Sequence, residues 1–423
     1  MWGGLAAMIL LVAVACTGSI GNPPVLLGIR VEFLLFALTL AGVALFHEQT
    51  LPVALTGLAA VVLVKMATAS GFSLPQHLLH ECGILINLLG LLIGFAVLAN
   101  HFEQSGAPEL LPRYLPNGVA GAFALLVAVF VLSSFLDNIA AALIGGAAAK
   151  HLFHNRLHVG YLAAIVAASN AGGAGSVLGD TTTTMMWIDG VDFRDVLHAY
   201  AAAIPALLFC GYFAARQQHA LQGIQKNPTR GASLQWSRLM GVLLVLAAAV
   251  AANVWLGFPA AGVWAGLLIA AAFTKTDWSV ALGAVRGAIF LLSLVLAASL
   301  MPVEALPAAS WPTALGLGFV SAVFDNIPLT KLALDQGGYD WGVLAYAVGY
   351  GGSMIWFGSS AGVAMSGLFP EAKSVGGWLK SGWHVTLAYV LGFAVLMLTV
   401  GWHPHPPHRA TYSSATLNIE APP

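Results

Sequence analysis

The chain has 423 residues, of which 59% are hydrophobic and 8% are charged, and its formal net charge at pH 7 is -1. Soluble domains carry about one quarter charged residues, so this composition excludes a soluble fold. No basic stripe or recognition motif is present, which excludes nucleic acid as a partner. We therefore expect most of the chain to lie in a lipid bilayer.

Apolar runs that could form membrane helices follow one another along almost the whole sequence. They occupy residues 33–46, 51–64, 83–99, 118–136, 199–215, 239–257, 260–273, 284–301, 313–324, 342–357 and 383–401. The runs are continuous and do not alternate with period two, which excludes an outer-membrane barrel. Since one helical crossing needs about 20 apolar residues, we predict an all-α integral membrane protein with about 10 to 12 transmembrane helices, some of them re-entrant or discontinuous.

The segment from Met1 to Cys16 is apolar, and no Lys or Arg precedes Arg30. A secretory signal begins with a positively charged region. We therefore expect a first helix or an apolar tail at this end rather than a signal peptide.

One polar stretch near the middle of the chain contains basic residues but no Asp or Glu. These residues are Arg216, Lys226, Arg230 and Arg238. An excess of positive charge marks cytoplasmic loops. We predict a first membrane half at 1–215, a basic cytoplasmic linker at 216–238, a second membrane half at 239–402 and a polar tail rich in Pro and His at 403–423.

Each half contains one Asp-Asn-Ile motif at the end of an apolar run, SSFLDNI at 133–139 and SAVFDNI at 321–327. A carboxylate at membrane depth costs about 3 kcal/mol, so Asp137 and Asp325 are expected to face protein or a water-filled cavity. The alternative is that both aspartates mark loop ends at the headgroups.

A glycine-rich segment follows each Asp-Asn-Ile motif, with the same spacing of six between its last two glycines. The matched glycines are Gly172, Gly173 and Gly179 in the first half and Gly351, Gly352 and Gly358 in the second. Glycine costs about 1 kcal/mol relative to alanine in a helix, so a helix break is expected at each place. Two matched motifs in the same order indicate an internal repeat, as in transporters built from inverted repeats.

These breaks suggest an ion site rich in oxygen ligands. Its predicted centre is formed by Asp137, Asp180 and Asp325, the candidate ligands of a transported Na⁺. The other candidates are Asn138, Asn170, Gly172, Gly173, Thr181, Thr182, Asn326, Gly351, Gly352, Ser353, Ser359 and Ser360. Oxygen ligands suit Na⁺, Li⁺ or protons, although Asp180 could simply cap a helix. No resident cofactor is expected, because Na⁺ and H⁺ are cargo.

The sequence GDTTTTMMWI at 179–188 resembles the Gly-Asp-x-Thr-Thr-Thr-Met-x-Trp-Ile segment of NhaD-type sodium/proton antiporters. These belong to the ion transporter superfamily, which also contains arsenite carriers and citrate or dicarboxylate carriers. The motifs at 134–139 and 325–328 are similar to the two hairpin tips of the NhaD branch. The resemblance extends from about Gly83 to Trp402.

The resemblance implies two inverted repeats, each with a re-entrant hairpin and a discontinuous helix. It also implies a homodimer in the cell inner membrane whose transport part moves like an elevator. Carboxylate carriers of the superfamily have Ser-Asn-Thr at the hairpin tips. The Asp-Asn-Ile found here argues against a sodium-coupled dicarboxylate carrier.

Two functions remain open from the sequence. The first is exchange of sodium or lithium for protons on intramembrane aspartates. The second is proton-coupled transport of citrate, another organic anion or an oxyanion at half-helix N-termini. Lys331 could attract an anion, but its spacing from Asp335 favours an i, i+4 ion pair. An enzyme is not expected, since no Ser-His-Asp signature, zinc motif or phosphate-binding loop occurs.

Overall fold

The structure, a computed structural model, describes residues 25–405 apart from 27, 47–48, 70, 108–109, 111–113 and 225–232. Several sequence predictions fall outside these residues. They concern the apolar segment from Met1 to Cys16, the linker residues Lys226 and Arg230, and the tail from residue 406 onward.

Helices make up nearly all of the described chain, preceded by a short antiparallel hairpin of β1 (Val25–Leu26) and β2 (Ile29–Arg30). In chain order the helices are α1 (Val31–Leu45), α2 (Thr50–Thr68), α3 (Leu74–Glu103), α4 (Gly118–Ser133), α5 (Asn138–Leu152), α6 (Val159–Ala174), α7 (Thr181–Ile188), α8 (Phe193–Leu197), α9 (Tyr200–Leu221), α10 (Trp236–Leu256), α11 (Pro259–Phe273), α12 (Ser279–Ser299), α13 (Trp311–Ser321), α14 (Asn326–Gln336), α15 (Trp341–Gly351), α16 (Ser360–Leu368), α17 (Val375–Ser381) and α18 (Trp383–Thr399). Short 3₁₀ turns lie at Val303–Ala305 and Pro370–Lys373. The predicted all-α class is confirmed.

Five of the described helices are long and apolar enough to cross a bilayer, and a sixth span results if α17 and α18, bent by 61°, are counted together. Four shorter apolar helices of 10–17 residues accompany them. The prediction of about 10 to 12 crossings counted re-entrant and discontinuous helices as well, and the exact number of crossings stays a prediction. The chain is a multi-pass membrane protein.

The described residues divide into two compact units. The first comprises the described residues within 1–115, 225–302 and 323–328, and the second those within 116–224, 303–322 and 329–423. Each unit takes segments from both sequence halves. The predicted linker overlaps helices at both ends, since α9 continues to Leu221 and α10 begins at Trp236. The repeat boundaries proposed from charge stay a prediction.

Helices α1 to α3 and α10 to α12 form the first unit, where small residues allow close packing. The Cβ of an alanine at position 90 would lie 2.8 Å from the Cβ of Ala260. The indole N–H of Trp264 donates to the Gly90 carbonyl at 3.0 Å, and the side chain of Asn87 accepts from the backbone N–H of Ala260 at 3.0 Å. Glycine thus joins α3 to α11 in the way expected for helices in lipid.

The second unit contains both predicted helix breaks. Helix α6 stops at Ala174 and α7 starts at Thr181, while α15 stops at Gly351 and α16 starts at Ser360. In each half, the helix that ends just before the Asp-Asn-Ile motif lies two helices before the break: α4 precedes α5 and α6, and α13 precedes α14 and α15. The two discontinuous helices predicted from the glycines are therefore confirmed.

Equivalent hydrogen bonds hold the two copies of this arrangement. The Ser133 hydroxyl donates to the carbonyl of Ser169 at 2.6 Å, and the Ser321 hydroxyl donates to that of Val348 at 2.8 Å. Each serine stands four positions before its aspartate, and each carbonyl three positions before the first matched glycine. The internal repeat predicted from the sequence therefore extends to equivalent hydrogen bonds in the structure.

Candidate ion-binding site

The first helix break owes its geometry to two glycines that meet in van der Waals contact. A Cβ at Gly173 would lie 2.6 Å from the Gly179 carbonyl oxygen and 2.9 Å from the Cβ of Asp180. Such distances leave no room for a side chain. The contact between the end of α6 and the start of α7 therefore requires glycine at this position.

The second break repeats this contact at the matched positions. A Cβ at Gly352 would lie 2.7 Å from the Gly358 carbonyl oxygen and 3.1 Å from the Cβ of Ser359. Asp180 and Ser359 thus occupy the same place in the two copies. Asp180 caps α7 by accepting from the N–H of Thr182 at 3.1 Å, and Ser359 caps α16 by accepting from the N–H of Gly362 at 3.3 Å.

Asn170 lies at the centre of the polar contacts between the two breaks. Its amide nitrogen donates to the hydroxyls of Ser353 at 2.9 Å and Ser359 at 3.1 Å, and its amide oxygen accepts from the amide nitrogen of Asn138 at 3.0 Å. All four residues are buried. Because buried polar groups are costly unless they are hydrogen-bonded, this network fixes the amide orientation and joins the two broken helices.

Two carboxylates border this network. One oxygen of Asp137 accepts from the Ile139 N–H at 3.1 Å, and the other accepts from the Thr181 hydroxyl at 3.5 Å. Asp180 is only 2% exposed, and its Oδ2 lies 3.3 Å from the position of a Cβ at Gly349 in α15. We define the oxygen cluster as Asp137, Asn138, Asn170, Asp180, Thr181, Ser353 and Ser359.

Two of the predicted glycine ligands, Gly172 and Gly351, are also required for close helix packing. A Cβ at Gly172 would collide with the backbone of Phe130, and one at Gly351 with the backbone of Gly318. The Gly172 carbonyl accepts from two hydroxyls, Tyr200 at 3.0 Å and Ser134 at 3.2 Å. Both lone pairs of that carbonyl are thereby used by the protein.

The remaining candidates lie beside the cluster or in the other unit. Thr182 is buried in the first turn of α7, and Ser360 is half-buried at the start of α16. Asp325 and Asn326 belong to the first unit, where the Ile327 N–H donates to Asp325 at 3.0 Å. This is the same turn that Asp137 makes with Ile139. The share of Asp325 and Asn326 in ion binding stays a prediction.

Four residues in contact with the site were not among the predicted site residues: Ser133, Tyr200, Ser321 and Gly349. The two serines stand in the matched SSFLDNI and SAVFDNI segments, so alignment of the halves carries a signal for them. Tyr200 gives no such signal, because its hydroxyl reaches Gly172 from 28 positions away.

One predicted ion pair lies outside the oxygen cluster and is confirmed. Lys331 and Asp335 form the expected i, i+4 ion pair, with Nζ and Oδ1 2.8 Å apart and the side chains only 1% and 6% exposed. Across the described residues, no group of three or more His, Cys, Asp or Glu is arranged to hold a metal ion. The roles of the three predicted aspartates as cation ligands stay a prediction.

The sequence is similar to two plant proteins, both named sodium/proton antiporters. The chain is 27% identical over 316 residues to a protein of Arabidopsis thaliana named sodium/proton antiporter 1, covering 62% of this chain and 54% of that protein. It is 28% identical over 282 residues to sodium/proton antiporter 2 of the same plant, covering 56% of this chain and 66% of that protein. The chain thus spans between half and two thirds of the length of these relatives. No protein-family model matches the sequence.

Proposed function

We propose that the protein is a secondary active transporter that exchanges sodium or lithium for protons. The observation that carries this proposal is the oxygen cluster at the junction of the two broken helices, whose members are buried apart from the half-buried Asp137. Its two carboxylates, Asp137 and Asp180, meet amide and hydroxyl oxygens in the same compact unit. Small hard cations favour such oxygen ligands over nitrogen or sulfur. The similarity to two proteins named sodium/proton antiporters supports the same class.

Exchange follows from competition for one set of oxygens. A carboxylate buried at membrane depth binds either a proton or a cation, because an uncompensated charge there is costly. Cation binding at Asp180 and Asp137 therefore displaces protons, and protonation displaces the cation. We include Asp325 as a third proton-binding group. The homodimer and the inner-membrane location implied by the family resemblance belong to this proposal.

The proposal is tested with purified protein in liposomes that contain a pH-sensitive dye. Addition of Na⁺ or Li⁺ should drive proton movement, and K⁺ should serve as the comparison ion. The Asp180→Asn variant should lose at least about 100-fold in rate, since loss of a charged ligand in a buried site costs about 3 kcal/mol. Asp277→Asn is the matched control, because Asp277 is an exposed carboxylate in the loop before α12.

An Asp180→Asn variant that exchanges sodium at the wild-type rate would contradict the assignment. The anion alternative is tested in the same liposomes with radiolabelled citrate. Uptake of citrate without a response to Na⁺ or Li⁺ would make the aspartates proton-coupling groups of an anion carrier. The buried ion pair between Lys331 and Asp335 speaks against that alternative, because it offsets the positive charge that an anion would need.

A further inference from the structure

The loop between α15 and α16 supplies two members of the oxygen cluster, Ser353 and Ser359. Ser359 caps α16, so that helix holds its side chain and backbone. Ser353 lies inside the loop, where its N–H donates to the Tyr350 carbonyl at 2.9 Å. Because Ser353 is fully buried, its carbonyl also needs a hydrogen-bond donor, and an unpaired buried carbonyl would be costly.

Trp378 of α17 is that donor. Its indole N–H donates to the Ser353 carbonyl at 3.2 Å, and its side chain is only 1% exposed. The hydroxyl of the same serine accepts from the Asn170 amide at 2.9 Å. A hydroxyl has two acceptor lone pairs, so one remains for a cation. The backbone and the side chain of Ser353 are thus bound by two different elements, α17 and α6.

Helix α17 is itself held firmly in place beside the broken helices. Ser374 caps it by accepting from the N–H of Gly377 at 3.1 Å. Gly382 stands at the 61° bend between α17 and α18, and a Cβ there would lie 3.0 Å from the Cβ of Ala163 in α6. The buried residue of α17 is Trp378. The short helix therefore presents its indole to the loop from a fixed position.

The first copy has an aromatic donor at nearly the same distance along the chain. Tyr200 and Trp378 stand 21 and 20 positions after the last matched glycine of their copies. The Tyr200 hydroxyl donates to the Gly172 carbonyl, which also accepts from the Ser134 hydroxyl. Both breaks therefore have a carbonyl bound by an aromatic residue that follows in the chain. Only in the second break does that carbonyl belong to a member of the oxygen cluster.

We propose that Trp378 is a positioning residue of the ion-binding site, whose indole N–H holds the Ser353 backbone so that the Ser353 hydroxyl stays in the oxygen cluster. The inference rests on the proposed function, in which this cluster binds Na⁺ or Li⁺. Trp378 acts through one ligand side chain and does not touch the cargo. Loss of its N–H should therefore weaken cation binding and leave the maximal rate of exchange nearly unchanged.

The test is a double-mutant cycle between Trp378 and Ser353 in the proton-exchange assay. Trp378→Phe keeps an aromatic ring but removes the N–H, and should raise the half-saturating Na⁺ concentration about fivefold. Ser353→Ala removes the ligand hydroxyl and should raise it about tenfold. The double variant should need no more Na⁺ than Ser353→Ala alone, because the indole has then lost the hydroxyl through which it acts.

Trp236→Phe is the matched control and should leave the half-saturating Na⁺ concentration as in the wild type, because Trp236 is 68% exposed at the start of α10. Thermal unfolding with and without Na⁺ verifies that each variant is folded. It also measures cation binding separately from transport, since a ligand of the folded state raises Tm. If Trp378→Phe does not fold, benzothienylalanine at position 378 keeps the size of the indole and replaces only the N–H by sulfur.

The outcomes separate the inference from the function. A wild type that exchanges Na⁺, with an unchanged half-saturating concentration in the folded variant without the N–H, would overturn the inference and leave the antiporter proposal standing. Effects that multiply in the double variant would also overturn it, because Trp378 would then act independently of Ser353. A wild type without any response to Na⁺ or Li⁺ would overturn both.

Discussion

The two helix breaks of the second unit have the same backbone contacts but different chemistry. In both, a glycine contacts the carbonyl six residues later, and a serine of α4 or α13 donates to a carbonyl of the broken helix. The N-cap residues of the helices that follow the breaks differ, however. Asp180 caps α7 with a carboxylate, and Ser359 caps α16 with a hydroxyl. Positions that control close packing have kept their residues, whereas positions that point into the cluster have diverged.

This difference has a physical reason. A close backbone approach tolerates only glycine, so both copies need it in the same place. A single small cation is surrounded by one set of ligands, and two buried carboxylates facing each other would repel. One charged and one neutral cap therefore suit one ion better than two identical caps. Three predictions test this comparison.

The largest effect is expected where the copies differ most. Asp180→Ser gives the first copy the residue type of the second and should reduce sodium-driven proton movement at least about 100-fold, because a charged ligand is lost. Ser359→Ala removes a neutral hydroxyl bound to Asn170 and should cost at most about tenfold, the equivalent of one hydrogen bond. Equal losses in the two variants would show that the copies contribute alike.

The shared glycines should give equal effects on stability. Gly172→Ala and Gly351→Ala each place a methyl group against a neighbouring helix backbone, at Phe130 of α4 in one copy and at Gly318 of α13 in the other. Overpacking of this kind costs about 1–3 kcal/mol. Thermal unfolding in detergent should show a clear fall in Tm for both, and little change for the control Gly287→Ala, since a Cβ at this helical glycine of α12 meets no atom within 4 Å. An unchanged Tm in either variant would show that the two helix breaks are not equivalent in packing.

The smallest effect concerns the N-caps of the two broken helices. His158 caps α6 by accepting from the Gly160 N–H at 3.1 Å, and Asp340 caps α15 by accepting from the Val343 N–H at 3.1 Å. Burial lowers the pKa of His158 from its usual 6.5. Burial alone would raise the pKa of Asp340, but hydrogen bonds from the His198 side chain and from backbone N–H groups outweigh this and lower it from 3.8.

Both shifts are downward, so each cap stabilises the fold above the pKa of the unfolded chain and loses this effect as pH falls. The loss begins below pH 6.5 for His158 and below pH 3.8 for Asp340. His158→Asn, which keeps a cap that does not titrate, should diminish the fall in Tm between pH 7.5 and pH 5.5. Asp340→Asn should lower Tm by the equivalent of about 1 kcal/mol at pH 7.5, because the charged cap is lost. A fall in Tm between pH 7.5 and pH 5.5 that is unchanged in His158→Asn would contradict the role of His158.

Much of this organisation could be predicted from local sequence. Composition and run length required a helical membrane protein, because no soluble core hides so much apolar surface. The matched glycines predicted both helix breaks, since glycine is a poor helix former wherever it stands. The ion pair of Lys331 with Asp335 followed from spacing on one helix. The exact number of crossings could not be predicted in this way, because apolar run length does not reveal where a helix ends.

Only the tertiary structure decided which residues of the two copies meet. Asn170 and Ser359 are 189 positions apart in the chain, and nothing in either segment specifies their hydrogen bond. The same holds for Gly349 against Asp180 and for the Tyr200 hydroxyl on the Gly172 carbonyl. Helix breaks and ion pairs within one helix depend on neighbours in sequence, so the sequence by itself determined them. Ligand geometry depends on how separate helices pack, and that is a property of the whole unit.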